Sequence, residues 1–185
     1  SELPEIGKNH DEPVYALIHI FIPHPPYLFD KDGSSVTPQS NKLKGLMGWN
    51  NTDGYLNEIQ FVNKKIEHSV DKILSYSNNS VIIIQGDTGS SILNHPNIDD
   101  YIKKRLSILF AIHLPNDDKQ VFPDTPTSAN TYRVIFNNYF EKDYDLLPDR
   151  YFYIFGSNGN NNTNNKYTEV TDLVNSNNPW NLNFI

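Results

Sequence analysis

The sequence contains no cysteine. Disulfides, thiolate metal sites and thiol catalysis are excluded at once. Basic charge is scarce: 15 Lys and Arg face 22 Asp and Glu, for a net charge of −7. Without a basic stripe there is no electrostatic footprint for a phosphate backbone, so nucleic acid is not an expected partner. No apolar run approaches the roughly 18 residues of a membrane span, and no signal-peptide pattern is visible. The first residue is Ser rather than Met. It reads as the start of a mature fragment, which leaves room for an upstream anchor or domain. One location consistent with that is the extracytoplasmic side of a membrane-anchored protein, although a cysteine-free chain fits any compartment.

What is present suits one domain of ordinary size, at 185 residues. Such a length removes roughly 70% of the unfolded surface from water. Aromatic residues make up 12%, mostly Tyr and Phe, so much of the core mass is expected to be aromatic. Asn clusters at Asn158 to Asn165 and Asn175 to Asn183, and residues 156–166 read as an Asn-rich surface loop. Asn50-Asn51-Thr52, Asn78-Asn79-Ser80 and Asn161-Asn162-Thr163 carry glycosylation acceptor patterns that an Asn-rich chain also produces by chance.

Val14 to Ile22 is a continuous apolar run stopped by Pro23, which reads as a buried strand. Pro23 to Tyr27 holds three prolines and reads as an irregular loop. Gly54 to Tyr76 places Ile59, Val62, Ile66, Val70, Ile73 and Leu74 at steps of three and four, the signature of an amphipathic helix. Val81 to Ile84 reads as a second buried strand. Strand, helix and strand with apolar faces make the βαβ unit of a parallel sheet. Leu106 to Leu114 reads as a third strand. Ser128 to Phe140 reads as a second helix capped by Ser128, burying Tyr132, Ile135, Phe136 and Tyr139. Tyr151 to Phe155 and Val170 to Val174 read as further strands. The expected fold is α/β, a mostly parallel sheet flanked by helices.

Ligands of open parallel sheets bind at the carboxyl ends of strands. There the loops at Pro23–Tyr27 and Gly86–Ser90 stand out. Asp87, between Gly86 and Gly89, suits a divalent metal; its alternative role is to cap a turn by accepting backbone N–H groups. His24 sits on a stiff backbone and suits donation to an oxyanion, or else packs in its loop. His19 and His113 read as core or interface residues, and His68 as solvated. His95, shortly after Asp87, is a further candidate for the same site. Without metal, Gly86 to Ser90 would read as an anion nest.

Several segments together resemble the later half of sulfatase-like proteins of the alkaline phosphatase superfamily. They are His19-Ile-Phe-Ile-Pro-His24-Pro-Pro-Tyr-Leu-Phe-Asp30 and Val81-Ile-Ile-Ile-Gln-Gly-Asp87-Thr-Gly89. The helix carrying Tyr55, Glu58, Val62, Asn63, Ile66 and Asp71 is similar too, as are Arg105 to Leu109, Thr131 to Asn137 and Leu147 to Arg150. The resemblance runs from about Val14 to Val174. It implies an alkaline phosphatase-like α/β sandwich that hydrolyses or transfers sulfate or phosphate esters, with divalent metals (Zn, Mn, Mg or Ca) and a Ser, Thr or modified Cys nucleophile. In that family the strand-end motif is Asp-His-Gly, and its Asp and His bind metal. Asp87 and Gly89 match it, whereas Thr88 stands where the His belongs, and a hydroxyl replaces imidazole poorly. His24 matches the family histidine that contacts the substrate oxyanion.

The family's nucleophile comes from an earlier half that nothing in Ser1 to Glu12 resembles. No catalytic nucleophile is therefore assigned, and without Cys none of these residues can become a formylglycine. The chain is expected to be the carboxyl-terminal part of a sulfatase-like domain and inactive alone. It would be completed by a missing amino-terminal segment or would self-associate through its open sheet edge. The alternative is a non-catalytic binding or structural α/β domain derived from that family.

Overall fold

A computed structural model describes residues 12–36, 51–77, 79–90, 97–115, 122, 127–155, 166–176 and 183–184, the last two and 166 for backbone only. The chain forms two compact units, Ser1–Ile82 with Ile92–Asn94, and Ile83–Ser91 with His95–Ile185. Its elements are α1 (Thr52–Leu74), β1 (Ile82–Gln85), α2 (Ile98–Leu106), β2 (Phe110–His113), α3 (Ser128–Tyr139), β3 (Phe152–Phe155), β4 (Lys166–Glu169), α4 (Thr171–Asn175) and β5 (Asn183–Phe184). This is a mixed α/β chain. One sheet has the order β1-β2-β5, with β2 and β5 parallel, and β3 and β4 form a separate antiparallel pair. The Asn-rich loop up to residue 165, the three glycosylation triplets' acceptor asparagines and His95 lie outside the described residues.

In the first unit α1 forms as the periodicity requires. Asn51 caps it, its Oδ1 accepting the Gly54 N–H at 3.0 Å. One face of α1 carries the segment 27–36. Tyr27 packs edge-on against Tyr55, at 6.4 Å between ring centroids. Phe29 packs on Phe61 at 5.2 Å. Lys64 Nζ donates to Lys31 O and Asp32 Oδ1, both at 3.0 Å. The segment doubles back at Gly33, whose φ of 86° favours glycine. Phe29 bridges Ser35, and Val36 N–H donates to Leu28 O at 2.7 Å.

The expected strand Val14 to Ile22 is absent. Residues 12–21 are exposed without regular structure; Tyr15 and Leu17 are 74% and 77% exposed. A strand needs a ladder partner, and among the described residues none hydrogen-bonds the backbone of 13–20. Apolar β-branched composition supplies propensity but no partner. His19 is accordingly exposed rather than core, stacked on Phe21 at 4.4 Å. His68 on α1 is exposed, as expected.

In the second unit the strand expected over Leu106 to Leu114 shortens to β2. Its first residue instead ends α2, where Ser107 N–H donates to Lys103 O at 2.9 Å. Asn97 caps α2, accepting the Asp100 N–H at 2.9 Å. Asp99 and Asp100 open it, and Lys103, Lys104 and Arg105 close it, complementing the helix dipole. Ile102, 1% exposed, packs with Val170 and Val174. That packing explains a second correction: Val170 to Val174 is not an edge strand, because residues four apart meet Ile102 together when 171–175 is helical. His113 is half-buried in β2.

α3 begins after Thr127 rather than at a Ser128 cap, and it buries Asn130, Thr131, Val134 and Ile135. Tyr132 and Phe136, expected inside, are exposed, and Tyr139 is half-buried. The rings pack on one another instead, Phe136 tilted against Tyr132 and edge-on to Phe140 and Tyr144. The turned face is used by asparagines. Asn130 clamps the amide group of Leu147, accepting from its N–H at 2.9 Å and donating to its C=O at 2.8 Å. Asn137 does the same to Tyr144, at 2.7 and 2.9 Å. Seven helical residues rise about 10.5 Å, and three extended residues span about 10 Å, so the two clamps stay in register.

Arg150 pairs with Glu169 across the β3–β4 pair, its Nε 3.0 Å from Oε1. The Arg150 guanidinium, with the Thr171 hydroxyl, holds the Glu169 carboxyl down to about 2.

Two outcomes follow from these contacts. Asn130→Ala removes both hydrogen bonds to the exposed Leu147 backbone, a loss of about 1 kcal/mol, and should speed amide exchange at Leu147 roughly fivefold; Asn137→Ala should have a smaller effect at Tyr144. The Glu169 contribution is complete above the ordinary carboxylate range and is lost as pH falls through about 2. Amide exchange across β3 and β4, corrected for intrinsic pH effects, should therefore quicken between those limits. Glu169→Gln should remove that step.

Candidate functional site

The two sequence-derived loops lie in different compact units and are described separately. In the first unit, His24 follows the exposed apolar segment within Pro23–Tyr27. The Ile22–Pro23 and Pro25–Pro26 peptides are cis. His24 N–H donates to Phe21 O at 2.8 Å. Its Nδ1 lies 2.6 Å from Pro25 O. A carbonyl only accepts, so Nδ1 carries the proton and the ring is oriented by its own loop. The imidazole is exposed, which does not match a packed loop histidine.

Behind this loop stands a residue to which the sequence assigned no role. Glu58, on α1, is 1% exposed. Its Oε1 accepts Leu28 N–H at 2.5 Å and Phe29 N–H at 3.2 Å. Among the described residues Oε2 is buried without a hydrogen-bond partner, and so is Tyr27 Oη. Burial pushes the Tyr27 phenol up, with Tyr55 and Glu58 adding to the effect. The signal in the sequence was a carboxylate set among Tyr55, Ile59 and Val62, on the helix face that periodicity reserves for the core.

In the second unit, Asp87 follows β1. Its backbone is fixed on both sides: Gly86 N–H donates to Leu109 O, and Gly89 N–H to Arg105 O, both at 2.8 Å. Arg105 Nη1 donates back to Gly89 O. A Cβ on Gly89 would stand 1.8 Å from Lys104 O, so the loop presses directly on the end of α2. Asp87 and Thr88 are exposed. Among the described residues the Asp87 carboxylate accepts no backbone N–H and makes no ion pair, so it is not the cap of its turn. The anion-nest reading also weakens, because the Gly86 and Gly89 amides are already engaged and Asp87 would repel an anion.

Among the described residues no group of three or more His, Cys, Asp or Glu converges to hold a metal ion. Catalytic zinc centres draw about three ligands from protein, and Ca²⁺ takes six or more oxygens. Asp87 alone does not fit that requirement, and the Thr88 hydroxyl does not remedy it. Among the described residues no helix is long and apolar enough to cross a membrane. No protein-family model, curated protein or solved structure matches the chain.

A paired substitution tests the geometry of the Asp87 loop. Gly89→Ala should cost about 1–3 kcal/mol by overpacking against α2, lowering the thermal midpoint. Gly86→Ala, whose Cβ would sit 3.4 Å from Leu109 N, should cost less. Equal midpoints would contradict the close approach.

Proposed function

We propose that this chain is the carboxyl-terminal part of a sulfatase-like domain with an alkaline phosphatase-like, mostly parallel sheet. On this reading it contributes to hydrolysis or transfer at sulfate or phosphate esters, and it is inactive alone. The observation that carries the reading is the state of Asp87. Its carboxylate stands exposed on a backbone pinned by Leu109 and Arg105, and among the described residues it is spent on no hydrogen bond or ion pair. A loop held this firmly around an unused carboxylate suits one ligand of a divalent metal, with the others supplied from outside these residues. His24, exposed and oriented by Pro25, suits contact with the ester oxyanion. The exposed apolar segment 14–20, whose backbone meets no hydrogen-bond partner among the described residues, suits a strand whose partners also come from elsewhere, from an amino-terminal segment or a second copy.

Thr88 favours a second reading, a non-catalytic binding or structural domain. It is an exposed hydroxyl at the position where the resemblance asks for a metal-binding imidazole.

The two readings part on metal. Under the first, calorimetry with Zn²⁺, Mn²⁺, Mg²⁺ and Ca²⁺ should show weak binding by at least one ion that Asp87→Ala abolishes, and nitrophenyl sulfate and phosphate should not turn over. Binding that survives Asp87→Ala, or no binding at all, would favour the second. Metal-stimulated turnover by the chain alone would contradict the statement that it is incomplete.

A further inference from the structure

A buried carboxylate is costly unless its oxygens are engaged. Among the described residues Glu58 engages one oxygen and finds no partner for the other. Core stability alone would be better served by an apolar residue at this position of α1. The oxygen in use goes entirely to the backbone of one loop, at Leu28 and Phe29, four and five residues beyond His24. Between them Tyr27 is 1% exposed and packs against Tyr55. A Cβ on Gly54 would lie 2.7 Å from Tyr27 Cδ2, so the ring leaves little room for a shift at this end of α1. The loop thus has one end fixed to α1 through hydrogen bonds to Glu58, while His24 is exposed at the other.

We propose that Glu58 is a positioning residue for His24. By holding the Leu28 and Phe29 amides it sets the backbone of 23–29, and so the place at which the imidazole meets an oxyanion. The proposal rests on the sulfatase-like reading for the identity of that oxyanion. It goes beyond it in assigning the aim of His24 to a carboxylate on α1 that touches no substrate. The requirement is geometric: an acceptor oxygen at the reach of a three-carbon acidic side chain. Glutamine keeps that oxygen at that reach, aspartate withdraws it by one methylene, and alanine removes it.

The test is NMR of the His24 ring in the full 185-residue chain, assigned by comparison with His24→Gln, with inorganic sulfate as the probe. Sulfate should shift the wild-type His24 signals. Glu58→Gln should reproduce both the unliganded shifts and the sulfate response within about threefold. Glu58→Asp and Glu58→Ala should displace the unliganded His24 signals and weaken the sulfate response about tenfold or more, an energy of about 1.4 kcal/mol. Should Glu58→Ala fail to fold, Glu58→Asp carries the comparison. Wild-type His24 signals in Glu58→Asp or Glu58→Ala would overturn the positioning role. Failure of Glu58→Gln to rescue would overturn it also. No response of wild-type His24 to sulfate, alongside displaced signals in Glu58→Asp, would instead overturn the oxyanion reading while leaving the geometric link standing.

Discussion

One carboxylate oxygen governs the described part of the first unit. Glu58 Oε1 accepts two adjacent backbone N–H groups, and through them α1 holds an extended segment that joins no sheet among the described residues. Breaking one of these hydrogen bonds leaves a donor without a partner near a buried site. The neighbouring contacts follow the same helix face. Tyr55 receives Tyr27, Phe61 receives Phe29, and Lys64 receives the turn at Lys31 and Asp32. The Lys64 contacts are exposed and are expected to add little by themselves. Position along α1 therefore translates into position along the loop that carries His24.

The second unit uses the same device with neutral groups. Asn130 and Asn137 grip Leu147 and Tyr144 as a neighbouring strand would, one residue at a time. In both units an extended segment is held by side chains from a helix. That is why stretches with few backbone ladder bonds keep a defined path, and why the loop that exposes His24 has a fixed stem; the Asp87 loop is instead pinned by backbone bonds to Leu109 and Arg105.

The sequence made legible what local periodicity controls. The three-and-four spacing from Ile59 to Leu74 marked α1, and the Ile-rich run before Gln85 marked β1. Both loops singled out for chemistry do expose the residues that drew attention to them. What depends on distant partners was not legible. Val14 to Ile22 has the composition of a strand, yet pairing is a property of two segments, and none of the described ones meets it. Val170 and Val174 look alike as strand or helix until Ile102 selects the helical spacing. α2 was legible in principle, from the Asn97 cap and the passage from acidic to basic residues, but its length of 9 residues includes few apolar ones. Glu58 was the least legible of all. A lone Glu on a helix is usually solvated, and only the fold of 27–36 over α1 turns this one inward.

Amide hydrogen exchange at Leu28 and Phe29 in the unmodified chain tests the Glu58 contact most directly. Both amides should exchange much more slowly than those of Val14 to Ile20, which lack partners among the described residues. Exchange at Leu28 and Phe29 as fast as in that open segment would mean that the carboxylate does not hold the loop.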